Sequence, residues 1–236
     1  MIATESNTPA VRIPPRVITL NFHGIGTPRR VLEPGEERFW ITHDQYLQVL
    51  DVALAHSRRV EITFDDANES DYELGLQALL DRGIAARFFI ITDRIGEDGS
   101  LSAGQLAEMA ACGMTFGTHG ASHRPWTDLA RTGELSGELN DSSSRLTRIV
   151  GEAIKHAAFP QGLYNRAVLK ELRARKFTRA YSVDEGWSRE HEWLRTRYSV
   201  IHSDTAATVA RLLDSPTLTS DPWPLRPAKQ ALKRWR

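Results

Sequence analysis

Residues 60–91 read VEITFDDANESDYELGLQALLDRGIAARFFII. The stretch opens on VEITF (60–64) and closes on ARFFII (86–91), two short runs rich in β-branched and aromatic residues. Between them SDYELGLQALLDRG (70–83) carries its apolar residues at helical spacing, starts at Ser70, a capping type, and stops at Gly83. Strand, helix and strand in succession are the signature of a parallel α/β sheet. Where the first strand stops, Asp65 and Asp66 stand side by side. Adjacent carboxylates repel, so something must hold them together.

The same alternation extends over most of the chain. VITLNF (17–22), MTFGT (114–118), KHAAF (155–159), RAYSV (179–183) and YSVIH (198–202) are further strand candidates, seven in all. HDQYLQVLDVALAH (43–56), SAGQLAEMAACG (102–113), RAVLKELRARK (166–176) and TAATVARLLD (205–214) have helical periodicity, with Ser102 and Asn165 as candidate caps. No repeat or Gly/Ser linker interrupts them. The expected organisation is an N-terminal arm (1–15), one domain (16–214) and a basic tail (215–236).

Lys plus Arg and Asp plus Glu each number 30, so the net charge is zero, and nothing draws the whole molecule to nucleic acid or an anionic membrane. The single cysteine, Cys112, allows no internal disulfide and is expected to pack in the core. No run is long and apolar enough to span a bilayer and no leader pattern is seen, so a cytoplasmic location is expected. The oligomeric state is not legible.

In parallel α/β folds, functional groups collect where strands end. Here those positions hold His23, Asp65, Asp66, His119, His123, the FPQG segment (159–162), Asp184, Trp187, His202 and Asp204. His119 and His123 are four apart, and one helical turn over 120–122 would put both rings on one face. Two imidazoles and one carboxylate suit a divalent cation with an open position, zinc by preference. One Asp can then bind the cation while its neighbour stays free as a base, which removes the like-charge penalty.

These residues resemble the polysaccharide deacetylases, the NodB-homology carbohydrate esterases. TFDD (63–66) looks like that family's first motif and HGASH (119–123) its second. AAFPQGLYN (157–165), SVDEGW and VIHSD (200–204) are similar to the third, fourth and fifth. The resemblance implies a distorted parallel barrel with about seven strands and removal of an acetyl group from an acetylated sugar. It implies Asp65 as base, Asp66, His119 and His123 as ligands of one divalent ion, and His202 as acid. His23 is the runner-up acid or a substrate contact. Pro160, Gln161 and Gly162 would line the oxyanion, and Trp187, like Trp126 and Trp193, could stack on sugar.

Departures matter too. Ala158 stands where family members often carry an Arg that pairs with the base, Gln161 where an aromatic is common, and Ser199 where a Leu is usual. Lys155 and Arg124 are conceivable substitutes for the Arg, and the metal is expected to be the main influence keeping Asp65 ionised. Arg29 and Arg30 read as solvated surface. A non-catalytic sugar-binding relative is the competing reading. A phosphatase of the aspartyl-phosphate kind would want D-x-D, which FDDAN does not supply, and HGIG lacks the third glycine of a dinucleotide loop.

Overall fold

The apolar runs become one curled sheet. A computed structural model describes residues 16–57 and 59–215, so the arm and nearly all of the tail lie outside the described residues. In chain order the elements are β1 (Arg16–Phe22), β2 (Gly24–Ile25), β3 (Trp40–Ile41), α1 (His43–Ala55), β4 (Val60–Asp65), α2 (Gln77–Asp81), β5 (Arg87–Ile90), α3 (Ala103–Ala111), β6 (Thr115–Thr118), α4 (Trp126–Thr132), α5 (Leu135–Val150), β7 (His156–Ala158), α6 (Arg166–Ala174), β8 (Arg179–Ser182), β9 (Ser188–Arg189), β10 (Leu194–Thr196), β11 (Tyr198–Ser199) and α7 (Ala206–Asp214).

The sheet order is β10-β8-β7-β6-β5-β4-β1-β11, with every neighbouring pair parallel and β9 added antiparallel to β1. Its two edge strands, β10 and β11, are separated in the chain by a single residue, Arg197. One residue spans only about 3.5 Å, so the two edges must meet. The sheet is therefore a nearly closed barrel, and Arg197 sits at its seam. The seven expected strands are present, the seventh shortened to Tyr198–Ser199, and β10 is an eighth parallel strand that sequence periodicity did not reveal.

Period-two alternation sorts the strand residues between two environments. Ile18, Leu20, Phe22, Ile62, Phe64, Phe88 and Ile90 join the main core under the helices. Thr63 and Asp65 point the other way, as do Asn21 and Phe89. Inside the barrel, Phe89, Ala158 and Tyr181 form a separate small cluster.

Helix starts hold partly to expectation. Ser102 caps α3 through a capping box with Gln105, and Asn165 accepts from the Val168 N–H. Ser70 does not cap; its hydroxyl accepts from the Ile25 N–H, and residues Asp71–Leu76 form a π-helical turn ahead of α2. α4 and α5 were not foreseen. α5 is rich in Ser, Asp and Asn, poor helix formers, yet Leu135, Leu139, Ser142 and Leu146 recur on one face and are buried. Packing, not propensity, makes it a helix. Cys112 departs from expectation: it ends α3 and is exposed. No helix among the described residues is long and apolar enough to cross a membrane.

Candidate active site

Asp65 is the last residue of β4, and the chain turns sharply after it: Asp66 and Ala67 have φ of 79° and 63°. A non-glycine backbone in the left-handed region is strained, and such residues gather at functional sites. His123 at φ 61° and Gln161 at φ 55° share the property. Asp66, His123 and Gln161 were all singled out from the sequence.

His119 follows β6, and its N–H donates to the Ile90 C=O (2.9 Å). The segment from Gly120 to Ser122 is not a helical turn. It is a bend clamped by Glu138, whose Oε1 accepts from the Ala121 N–H (2.8 Å), the Ser122 N–H (2.9 Å) and the Ser122 hydroxyl (3.0 Å). Gly120 has φ 86°, and a Cβ there would lie 2.7 Å from Glu138 Oε1. The two rings still meet, 5.2 Å between centroids.

Asp66, His119 and His123 each offer one ligand atom, and these atoms lie within 4.8 Å of one another. His119 Nε2 is 3.5 Å and His123 Nε2 3.6 Å from Asp66 Oδ1, a buried oxygen with no hydrogen-bond partner. Both Nδ1 atoms are engaged elsewhere: His119 with the Ala158 C=O at 3.0 Å, His123 with Glu33 at 3.0 and 3.1 Å. With Nδ1–H donating outward, each Nε2 keeps its lone pair toward Asp66. Burial is the largest influence on His119 and pushes it down to about 4, so the ring is neutral at neutral pH. Three converging donors, one an orphaned carboxylate oxygen, fit a divalent cation.

Asp65 lies beside that trio, its Oδ2 4.0 Å from His119 Nε2, but its hydrogen bonds go elsewhere. Arg197 Nη1 donates to its Oδ1 (2.7 Å) and Nη2 to its Oδ2 (2.8 Å). Asn21 Nδ2 adds a third bond to Oδ2 (3.1 Å), and Arg197 Nη1 also donates to Asn21 Oδ1 (2.7 Å). Burial pushes the Asp65 carboxyl up, but Arg197 and then His119 outweigh it and hold it well below the usual carboxylate range. A cation that the sequence reading did not name thus supports the charge on Asp65, and neither conceived substitute stands there: Lys155 is exposed. The charge comes from Arg197 at the seam. Arg124 instead pairs with Glu134 (2.7 Å). Ala158 is buried beside Phe89 and Tyr181, over which the Arg197 guanidinium lies at 5.1 and 5.9 Å from the ring centroids. A small residue at 158 leaves room for a guanidinium arriving from the other side.

His23 is buried, stacks on Phe39 at 4.5 Å and lies close enough to Asp65 and Asp66 to act on both charges. His202 is exposed; its N–H and its Nδ1 both meet the Arg38 C=O, at 2.8 and 3.1 Å. Pro160–Gly162 is a tight turn in which a Cβ on Gly162 would lie 2.2 Å from Val183 Cγ2. The three tryptophans considered as stacking platforms each make contacts within the fold. Trp126 is fully buried, Trp193 Nε1 donates to the Phe177 C=O, and Trp187 packs on the core with Nε1 donating to the Ser215 C=O. Arg30 is not solvated surface either: it forms a buried pair with Glu36, while Arg29 pairs with Glu69 and Glu73.

Sequence reasoning missed Arg197, Asn21, Glu33 and Asp71. Alternation in LNF was the available signal for Asn21, which alternates with the core residues Leu20 and Phe22; Arg197, between β10 and β11, carried none. Asp71 is buried, neither of its oxygens has a hydrogen-bond partner, and burial followed by the charges of Asp66 and Asp65 raises its carboxyl well above the usual range.

The profile of the polysaccharide deacetylases matches residues 55–180, which include Asp65, Asp66, His119 and His123. The chain belongs to the polysaccharide deacetylase family. YxkH of Bacillus subtilis (strain 168) is 25% identical over 187 residues, 73% of this chain and 66% of that one. The poly-beta-1,6-N-acetyl-D-glucosamine N-deacetylase of Staphylococcus aureus (strain MSSA476) is 30% identical over 141 residues, 54% of this chain and 49% of that one. The chain thus spans from about half to just under two thirds of the length of these curated relatives. Among solved structures, the Streptococcus pyogenes deacetylase PplD in complex with acetate superposes with a TM-score of 0.69 at 20% identity, covering 84% of this chain and 98% of that one. IcaB from Ammonifex degensii gives 0.69 at 20% identity, covering 85% and 98%. At such identities the likeness concerns the fold, and the nearly closed barrel of this family member is the one they share. The profile match stops short of Arg197 and His202 and begins after His23, so these three positions rest on this chain's own geometry.

Proposed function

We propose that this family member is a metal-dependent hydrolase that removes the acetyl group from N-acetylated sugar units of a polysaccharide. The observation that carries the reading is the division of the acid pair: Asp66 faces two histidine Nε2 atoms, while Asp65 faces a guanidinium. Asp66, His119 and His123 would hold the ion, zinc by preference, and a bound divalent ion would supply Lewis acidity toward the acetyl carbonyl and acidify water. The protein's own groups do the rest. Asp65, fixed by Arg197 and Asn21, takes a proton from the attacking water. In the turn at 160–162, the Gly162 and Leu163 N–H groups donate to Phe159 and Pro160 C=O. Pro160 has no N–H, so the Gln161 amide is the donor best suited to a developing oxyanion.

Two histidines compete to protonate the departing amine. Burial and closeness to both acids support His23, while His202 is exposed and anchored to Arg38. His23 is the acid in this proposal, and His202 is a surface residue held to the Arg38 C=O. The name of the Staphylococcus aureus relative makes β-1,6-linked N-acetylglucosamine oligomers the first substrate to try.

Acetate release from a panel of N- and O-acetylated saccharides, measured beside metal content, tests the proposal. Metal-dependent release from N-acetylated members is expected. Release from O-acetylated members alone would move the activity to esters. A metal-loaded protein that binds saccharides but releases no acetate would favour the non-catalytic reading.

A further inference from the structure

The loop from Gly26 to Phe39 is tied across the metal centre. Its ends meet because β2 and β3 pair, Gly24 opposite Trp40, and the Gly26 N–H donates to the Ile41 C=O (2.7 Å). Within the loop, Glu36 bonds Arg30 and accepts from the Glu33 N–H (2.8 Å), and Arg30 Nε donates to Asn68 Oδ1 (3.0 Å), two residues beyond Asp66. These bonds aim Glu33 at the site. Arg94 Nη2 donates to Glu33 Oε1 (2.5 Å) from below, and the same carboxylate spans His123 Nδ1 with both oxygens.

We propose that Glu33 is a positioning residue for the metal centre: its carboxylate orients His123 with Nε2 toward Asp66, and so couples metal binding to the seating of the 26–39 loop. The inference rests on the metal reading above. His123 needs such a hold. Its backbone is in the left-handed region, a conformation that persists only where surrounding contacts hold it. Donation from Nδ1–H to a carboxylate locks the tautomer and makes Nε2 a better donor. Arg94 completes the chain Arg94–Glu33–His123–Asp66. Coupling is reciprocal: whatever factor a seated loop adds to metal affinity, metal adds to loop seating.

The test titrates zinc against a competing chelator in wild type, Glu33→Gln, Glu33→Ala and Glu36→Gln, with His123→Ala as control, and follows hydrogen exchange of residues 26–39 with and without zinc. Glu33→Gln is expected to weaken zinc by about 10- to 100-fold, the scale of outer carboxylate partners of metal-bound histidines, and to abolish zinc-dependent protection of the loop. Glu36→Gln, which loosens the loop but leaves the Glu33 carboxylate, should weaken zinc less. Wild-type affinity and protection in both Glu33 variants, with His123→Ala losing zinc, would overturn this inference alone. A wild type that binds no zinc would overturn the metal reading beneath it.

Discussion

Replacing Arg197 by Gln tests the arrangement around Asp65 most directly. The native pair is bidentate, at 2.7 and 2.8 Å, and both side chains are buried. Removing one partner of a buried ion pair costs about 3–5 kcal/mol, because the remaining charge is stranded. An Arg beside a carboxylate also lowers its pKa by roughly 1–3 units, and a unit is about 1.4 kcal/mol. The signs are opposite in the two proteins. In wild type the folded-state pKa of Asp65 is depressed, so its contribution to stability is present above the unfolded value of roughly 4 and is lost as pH falls below it. In Arg197→Gln burial acts without the opposing cation, the folded-state pKa rises above the unfolded value, and the variant gains relative stability as pH falls through it. Urea denaturation of the metal-free proteins from pH 7.5 to 4.5 should therefore show a stability gap that is largest at neutral pH and shrinks on acidification. The acidic limb of kcat/KM for the metal-loaded variant should move to higher pH by at least about one unit. Ala158→Arg alone should disrupt the barrel, since a second cation enters an occupied site, whereas Ala158→Arg with Arg197→Ala should recover part of the loss. A folded Arg197→Gln protein with a pH-independent gap and an unmoved limb would refute the assignment of Arg197 as the partner that keeps Asp65 ionised.

Asp65→Asn should keep the metal and lose about 10²-fold or more in turnover, the usual scale for a positioned base, while Asp66→Asn should lose metal; equal metal loss by elemental analysis would refute that division. His23→Ala should slow amide cleavage more than cleavage of an activated acetyl ester, whose leaving group needs little protonation, and His202→Ala should affect both alike. The reverse pattern would return the acid role to His202. Asp71→Asn should stabilise the fold increasingly as pH rises from 5 to 8, because the raised Asp71 carboxyl must take up a proton to fold and Asn need not. A pH-independent difference in denaturation midpoint would show that Asp71 folds ionised.

Sequence alone determined the parallel α/β class, six of the parallel strands closely and the edge strand β11 in part, and it pointed to Asp65, Asp66, His119 and His123, which the fold brings together. The physical reason is locality. Strand and helix periodicities are written in neighbouring residues, and each motif sits where its own strand ends, so its placement needs no knowledge of distant chain. The bend at 120–122 was misread because its geometry is dictated by Glu138, sixteen or more residues away. α5 was missed because its helicity depends on what Leu139 and Leu146 pack against. Tertiary structure alone decided what keeps Asp65 charged. Arg197 is 132 positions away and reaches Asp65 only because the sheet curls until its edges meet at that residue. Glu33 likewise lies 90 positions from His123 and faces it only across a loop held by its own ion pairs. Long-range charge pairs leave no periodic trace in a sequence, and here two of them set the protonation and orientation of groups that the motifs merely supply.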